Sequence, residues 1–209
     1  RQWAGLGFWS VLIFLGIGTV LTLILQSSSA TMAITLIMLS MGWIPFNMAC
    51  AMVLGENIGT TITANIAAAV GNTQAKRAAM SHTIFNVTGV IWALILFKPF
   101  LALVGKITEV VFGIPNPAAE GFAVVSPTDP TATSALYGLS MLHTLFNVTN
   151  TLVLIWFTPL IEKAVVWLVK EPKGETEVFR LKYISGGPLS TAELSISEAQ
   201  QEITHFAEI

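Results

Sequence analysis

From residue 2 to residue 55 the chain carries no charged side chain, and after Glu56 the next charge is Lys76. A domain folded in water cannot leave so long a stretch uncharged, because its outer face must be solvated. A chain surrounded by lipid can, provided that polar groups at that depth find partners inside the protein. Charged residues make up 11% of the whole and mean hydropathy is +0.73, where a soluble domain carries roughly 25% charge. The charges that exist crowd the stretch after Ile161, so a membrane part comes first and a polar tail follows. With a net charge of -2 there is no basic face to neutralise a phosphate backbone, which sets nucleic acid aside. Cys50 is the single cysteine; it has no partner for an intrachain disulfide or a thiolate cluster and reads as a small core residue.

Apolar run lengths predict an all-α, polytopic membrane protein with broken or re-entrant helix hairpins. Phe8 to Leu25 is long enough to cross a bilayer, and Gly16 and Gly18 within it allow close helix packing. Ala30 to Met41 and Phe46 to Leu54, divided by Gly42 and Pro45, are each too short to span and are expected to form a hairpin of half-helices. A second break is expected from Gly55 to Thr61, then a short piece from Ile62 to Val70 and a wet turn from Gly71 to Arg77. Thr83 to Val104 reads as the next span, with Lys98 snorkelling and a kink at Pro99, and Ile107 to Phe112 reads as interfacial. Four prolines place a loop over residues 113–133, and Ala135 to Leu160 is the last apolar stretch, running on towards Val169. The domain reading is therefore a membrane part over 1–169 and, over 170–209, a polar linker followed by the start of a helical region. In that tail Ser190 and Glu193 stand at capping-box spacing, ahead of an incomplete apolar face of Leu194, Ile196, Ile203 and Phe206. The missing initiator Met and the absence of a cleavable leader pattern read as a piece of a longer chain.

Polar residues at membrane depth are the candidates for function. In QSSSAT, Gln26, Ser27, Ser28, Ser29 and Thr31 offer hydrogen-bonding side chains almost in succession. If a half-helix starts there, its free N–H groups and the serine hydroxyls make an anion site without a buried cation. The unpaired carbonyls where the preceding helix ends, near Ile24 and Leu25, suit a small hard cation such as sodium. The GENIGTT stretch adds Glu56, Asn57, Thr60 and Thr61 as sodium-binding or gating candidates; for Glu56 the plainer reading is a carboxylate at a helix end reaching water. HTIFNVTGV from His82 is echoed by HTLFNVTNT from His143, with His, Thr, Phe, Asn, Val and Thr in register 61 residues apart. His82 with Asn86, and His143 with Asn147, each share a helical face and are read as braces between helices or as pathway lining. Neither histidine has a neighbour at metal-ligand spacing, so no metal beyond sodium is expected. The NVT triplets at Asn86 and Asn147 match a glycosylation sequon but lie in spanning stretches.

QSSSAT, then GENIGTT about thirty residues on, then KRAAMSHTIFN, resemble the repeat of the type II sodium-dependent phosphate cotransporter family, over roughly Gly5 to Ile161. The tail is similar to the linker that, in bacterial members, leads to a helical domain like the phosphate-uptake regulator. The resemblance implies sodium-coupled uptake of inorganic phosphate across the cell (inner) membrane by a multi-pass carrier. It implies one half of an inverted-repeat transporter, with Gln26 to Ser29 as the family's QSSS element and Gly55, Asn57, Ile58, Gly59, Thr60 and Thr61 as its second element. The chain departs from the family in holding one QSSS run where members have two, and in placing Glu56 where many members have a small residue. The expected partners are phosphate, sodium, the bilayer, and the missing N-terminal repeat or a second copy of the chain. No organic cofactor and no enzymatic activity are expected. The alternative is a membrane-embedded phosphate-sensing or scaffold subunit without transport of its own. An intramembrane hydrolase using a serine of the QSSS run lacks a nucleophile elbow and a paired acid. Lys76 and Arg77 place their loop in the cytoplasm by the positive-inside tendency.

Overall fold

The computed structural model describes residues 7–171, together with Ile196, Ala199, Gln200, Gln201, Ile203 and Thr204. Among these every regular element is a helix: α1 Phe8–Leu25, α2 Ser28–Ser40, α3 Phe46–Ala68, α4 Thr73–Ile95, α5 Phe97–Phe112, α6 Pro130–Leu154 and, after a single 3-10 turn, α7 Thr158–Leu168. Among the described residues three stretches are long and apolar enough to cross a membrane: Phe8–Leu25, Thr73–Ile95 and Pro130–Leu168. The chain divides into two compact units after Lys170. In the second unit Ile196 and Ile203 are helical and exposed. The Ser190–Glu193 spacing, Leu194 and Phe206 lie outside the described residues.

The centre of the first unit is α3, which packs on α1, α2, α4 and α6. Every side chain from Met48 to Glu56 is buried, as an all-round apolar helix requires. It also overturns the expected second break, because Phe46–Ala68 is one unbroken helix through Gly55–Thr61. The glycines there serve close approach instead. A Cβ at Gly55 would run into the Leu15 carbonyl of α1, one at Gly59 would meet Thr22 Cβ at 2.6 Å, and one at Gly18 would strike the Met52 carbonyl of α3. Gly16, by contrast, faces open space. The two helices thus run parallel with backbones nearly touching, the small-residue packing known from membrane helices.

The other junctions follow local chemistry. The α2 helix ends in a Schellman motif: Gly42 takes φ +66°, its N–H bonds the Leu39 carbonyl at 2.9 Å, and the Trp43 N–H bonds the Met38 carbonyl at 2.9 Å. The expected span Thr83 to Val104 is two helices, α4 and α5, meeting at Leu96, with Pro99 in the first turn of α5 where its missing N–H costs nothing. Ile107 to Phe112 is the end of α5, not a separate interfacial piece. The last stretch begins earlier than expected, with Asp129 as N-cap and Pro130 in the first turn of α6. It is interrupted at Ile155–Phe157 because Pro159 has no N–H to give the Ile155 carbonyl.

Candidate functional site

At the end of α1 the chain turns within two residues. Gln26 adopts φ 51° and ψ 28°, the left-handed conformation that stops a helix, and Ser27 follows in extended backbone as the N-cap of α2. The Ser27 hydroxyl accepts the Ala30 N–H at 3.2 Å. Ser28 and Ser29 therefore belong to the first turn of α2 rather than to the break. Their hydroxyls have no partner among the described residues, and Ser29 and Gln26 are exposed while Ser28 is half-buried. The site so formed is the opening turn of α2 with Gln26, Ser28 and Ser29 around it. Thr31 leaves this group: it is fully buried, accepts from Thr22 of α1 at 3.1 Å and donates to the Ser27 carbonyl at 3.1 Å. It fastens α2 to α1 at the foot of the turn.

The break lies inside the bundle rather than at its end. Thr22 sits against Gly59, and α3 runs nine residues further to Ala68 while α1 stops three residues further at Leu25. At 1.5 Å per residue the break falls about 9 Å short of the α3–α4 turn. It is also open. A cavity of about 820 Å³ lies at the other end, lined by Phe8, Val11, Phe46, Phe97 and Leu101. Neither it nor the cavity of about 670 Å³ between α4 and α7 is lined by residues 26–31.

The second candidate group is arranged differently from its sequence reading. Because α3 stays helical, its carbonyls at 55–61 remain in the helix, and the side chains bond back onto it. Asn57 donates to the Val53 carbonyl at 2.9 Å, Thr60 to the Asn57 carbonyl at 2.8 Å and Thr61 to the Ile58 carbonyl at 2.8 Å. Glu56 is not at a helix end: it stands within α3, 3% exposed and bonded by Thr35 of α2 at 3.0 Å.

The His/Asn echo also bonds locally. The Asn86 amide donates to the His82 carbonyl at 3.0 Å and the Asn147 amide to the His143 carbonyl at 2.8 Å, each within its own helix. The helices are braced by residues the sequence reading passed over. Asn150 of α6, fully buried, donates to the Phe85 carbonyl of α4 at 3.1 Å and accepts from Trp92 Nε1 at 3.1 Å, in space left by Gly89. Asn65 of α3 donates to Thr83 Oγ1 of α4 at 2.6 Å. Asn150 lies within the second echo, three residues and one turn after Asn147, and an amide at membrane depth was the signal that marked it.

Residues 10–115, which hold the break, α3 and α4, match the family described as Na+/Pi-cotransporter. The chain belongs to that family. It is thus a membrane protein of a transporter family, and the family description points to phosphate transport. Among curated proteins it is similar to the "Uncharacterized protein YqeW" of Bacillus subtilis (strain 168), 37% identical over 161 residues, 77% of this chain and 44% of that protein. The chain therefore spans less than half the length of that relative. No solved structure matches.

Proposed function

We propose that this chain is half of a transport domain that takes up inorganic phosphate with sodium across the cell (inner) membrane. In this reading the α1–α2 turn belongs to the site of a multi-pass, inverted-repeat carrier. The observation that supports it is the Gln26–Ser29 turn. With Ser27 satisfying the Ala30 N–H, the first N–H groups of α2 and the hydroxyls of Ser28 and Ser29 form a donor-rich surface with no cation bonded to it among the described residues. That chemistry suits a tetrahedral oxyanion held by neutral donors and a helix dipole. The carbonyls at the end of α1 suit sodium, whose charge offsets the anion's. An open half-site of this kind is completed by a second, the missing repeat or another copy of the chain.

The test is sodium-dependent uptake of labelled phosphate by the full-length protein in proteoliposomes. Ser28→Ala is expected to weaken phosphate affinity about 10- to 100-fold, the loss of one hydrogen bond to a charged group at roughly 1.5 to 3 kcal/mol. Unchanged affinity in that variant refutes the site. Phosphate binding without uptake under a sodium gradient favours the sensing or scaffold role.

A further inference from the structure

Glu56 stands near the middle of α3, 3% exposed, a residue type almost never buried without a partner. Among the described residues its carboxyl makes one hydrogen bond, between Oε1 and Thr35 Oγ1 at 3.0 Å. Thr35 Oγ1 lies at the same time 2.9 Å from the Thr31 carbonyl. A threonine hydroxyl has one proton to give and two lone pairs to receive with, whereas an ionised carboxylate only accepts. Were Glu56 ionised, the carboxylate and the Thr31 carbonyl would compete for the single proton of Thr35. With a proton on Glu56 every group is served: the acid donates to Thr35 Oγ1 and Thr35 donates to the Thr31 carbonyl. One turn earlier the same one-way chain recurs without an acid, Thr22 to Thr31 Oγ1 at 3.1 Å and Thr31 to the Ser27 carbonyl at 3.1 Å.

Among the described residues no cation answers Glu56. The α1 and α2 helices packed against it carry no ionisable side chain. The α4 helix carries Lys76, Arg77 and His82 in its first three turns, and α6 carries Tyr137 and His143; among the described residues none of them bonds or pairs with Glu56. A buried carboxylate lacking such a partner is costly, and a neutral acid donating into a threonine is not.

We propose that Glu56 is a proton-binding site, held as the neutral acid, whose O–H ties α2 to α3. Ser27, Thr31 and Thr35 are spaced four apart on α2, so the tie lies two turns from the cap that opens the Gln26–Ser29 turn. Loss of the proton to water leaves a carboxylate that Thr35 serves only by releasing the Thr31 carbonyl, which loosens the seam that sets the direction of α2. The consequence for transport rests on the phosphate reading; the proton does not.

The experiment is infrared spectroscopy of the full chain in lipid bilayers near about pH 7, where exposed carboxyls are ionised. The expected spectrum contains a protonated-carboxyl C=O band that Glu56→Gln removes, while the glutamine amide still donates to Thr35 and keeps the fold. Thr35→Val should leave the band and move it to higher frequency, because the acid loses its acceptor. In the unsubstituted chain the band should persist above about pH 6, past the range in which exposed carboxyls titrate. A wild-type spectrum without that band at neutral pH overturns the proposal, as does loss of carboxylate bands rather than the acid band in Glu56→Gln. Ser28→Ala leaves the band in place whatever it does to phosphate, so failure of the phosphate site and failure of the proton site are read separately.

Discussion

Replacing Gly55 by Ala asks whether α1 and α3 meet as closely as their backbones indicate. The added Cβ would collide with the Leu15 carbonyl oxygen and lie 2.8 Å from its carbon and 3.0 Å from Thr19 N. These are all backbone atoms, so no side chain can rotate out of the way and the two helices must part. Parting them also strains the bond from Thr19 Oγ1 to the Gly55 carbonyl, now 3.0 Å. Overpacking of this kind costs about 1 to 3 kcal/mol and a weakened hydrogen bond about 1 more. The better helix propensity of Ala returns up to about 1 kcal/mol. The net expectation is a loss of about 1 to 3 kcal/mol. Gly16→Ala is the matched control in the same seam's outer helix: nothing lies within 4 Å of its Cβ, so it should be neutral or stabilising. Denaturant titration of the purified chain in detergent micelles reads both. A Gly55→Ala midpoint equal to wild type, or the same loss in both variants, refutes the close-contact account.

Asn150→Leu is expected to lose about 1 to 3 kcal/mol, because it leaves the Trp92 indole N–H and the Phe85 carbonyl without their bonds at 3.1 Å each. Asn147→Leu, whose amide bonds only its own helix, should lose less in the same titration, and the reverse order would show that the brace is misplaced. At the α6 N-terminus the Thr131 backbone N–H, 2.7 Å from Oδ1, holds the Asp129 carboxyl below its usual range. Its capping contribution is therefore present above about pH 4 and lost as pH falls through the lowered native value, which hydrogen exchange at the Thr131 amide should report and Asp129→Asn should abolish.

Most of the helical fold was legible because it follows from hydropathy and capping residues. Phe8–Leu25 is both the apolar run and the helix, and Gly42 ends α2 for the backbone reason its presence implies. Some boundaries shifted for other reasons: α4 begins at Thr73 behind an Asn72 cap, so Lys76 and Arg77 are helical where a turn over Gly71 to Arg77 was expected, while two shifted through proline. Pro130 begins α6 behind Asp129, and Pro159 inserts a 3-10 turn where hydropathy alone shows continuity. The helix braces were less legible, since Asn86 and Asn150 are the same letter at the same depth. Their partners differ: Gly89 leaves room on α4 for the Asn150 amide, whereas the Asn86 amide bonds its own helix.

The two polar stretches show where such reading has to be finer. Opening a helix in lipid frees up to four N–H and four C=O groups at the new ends, and each must be satisfied within the protein. Glycine, threonine and serine mark both a break and a close helix contact, so composition does not separate them. Spacing does. Gly55 and Gly59 are four apart and share one face, which α1 occupies with Leu15, Thr19 and Thr22, so the helix gains a neighbour by staying intact. Gln26 to Ser29 are consecutive and in a helix would point all the way around it, where no single neighbour can serve them. The chain there turns instead, uses Ser27 as its own cap, and leaves the Ser28 and Ser29 hydroxyls without a partner among the described residues.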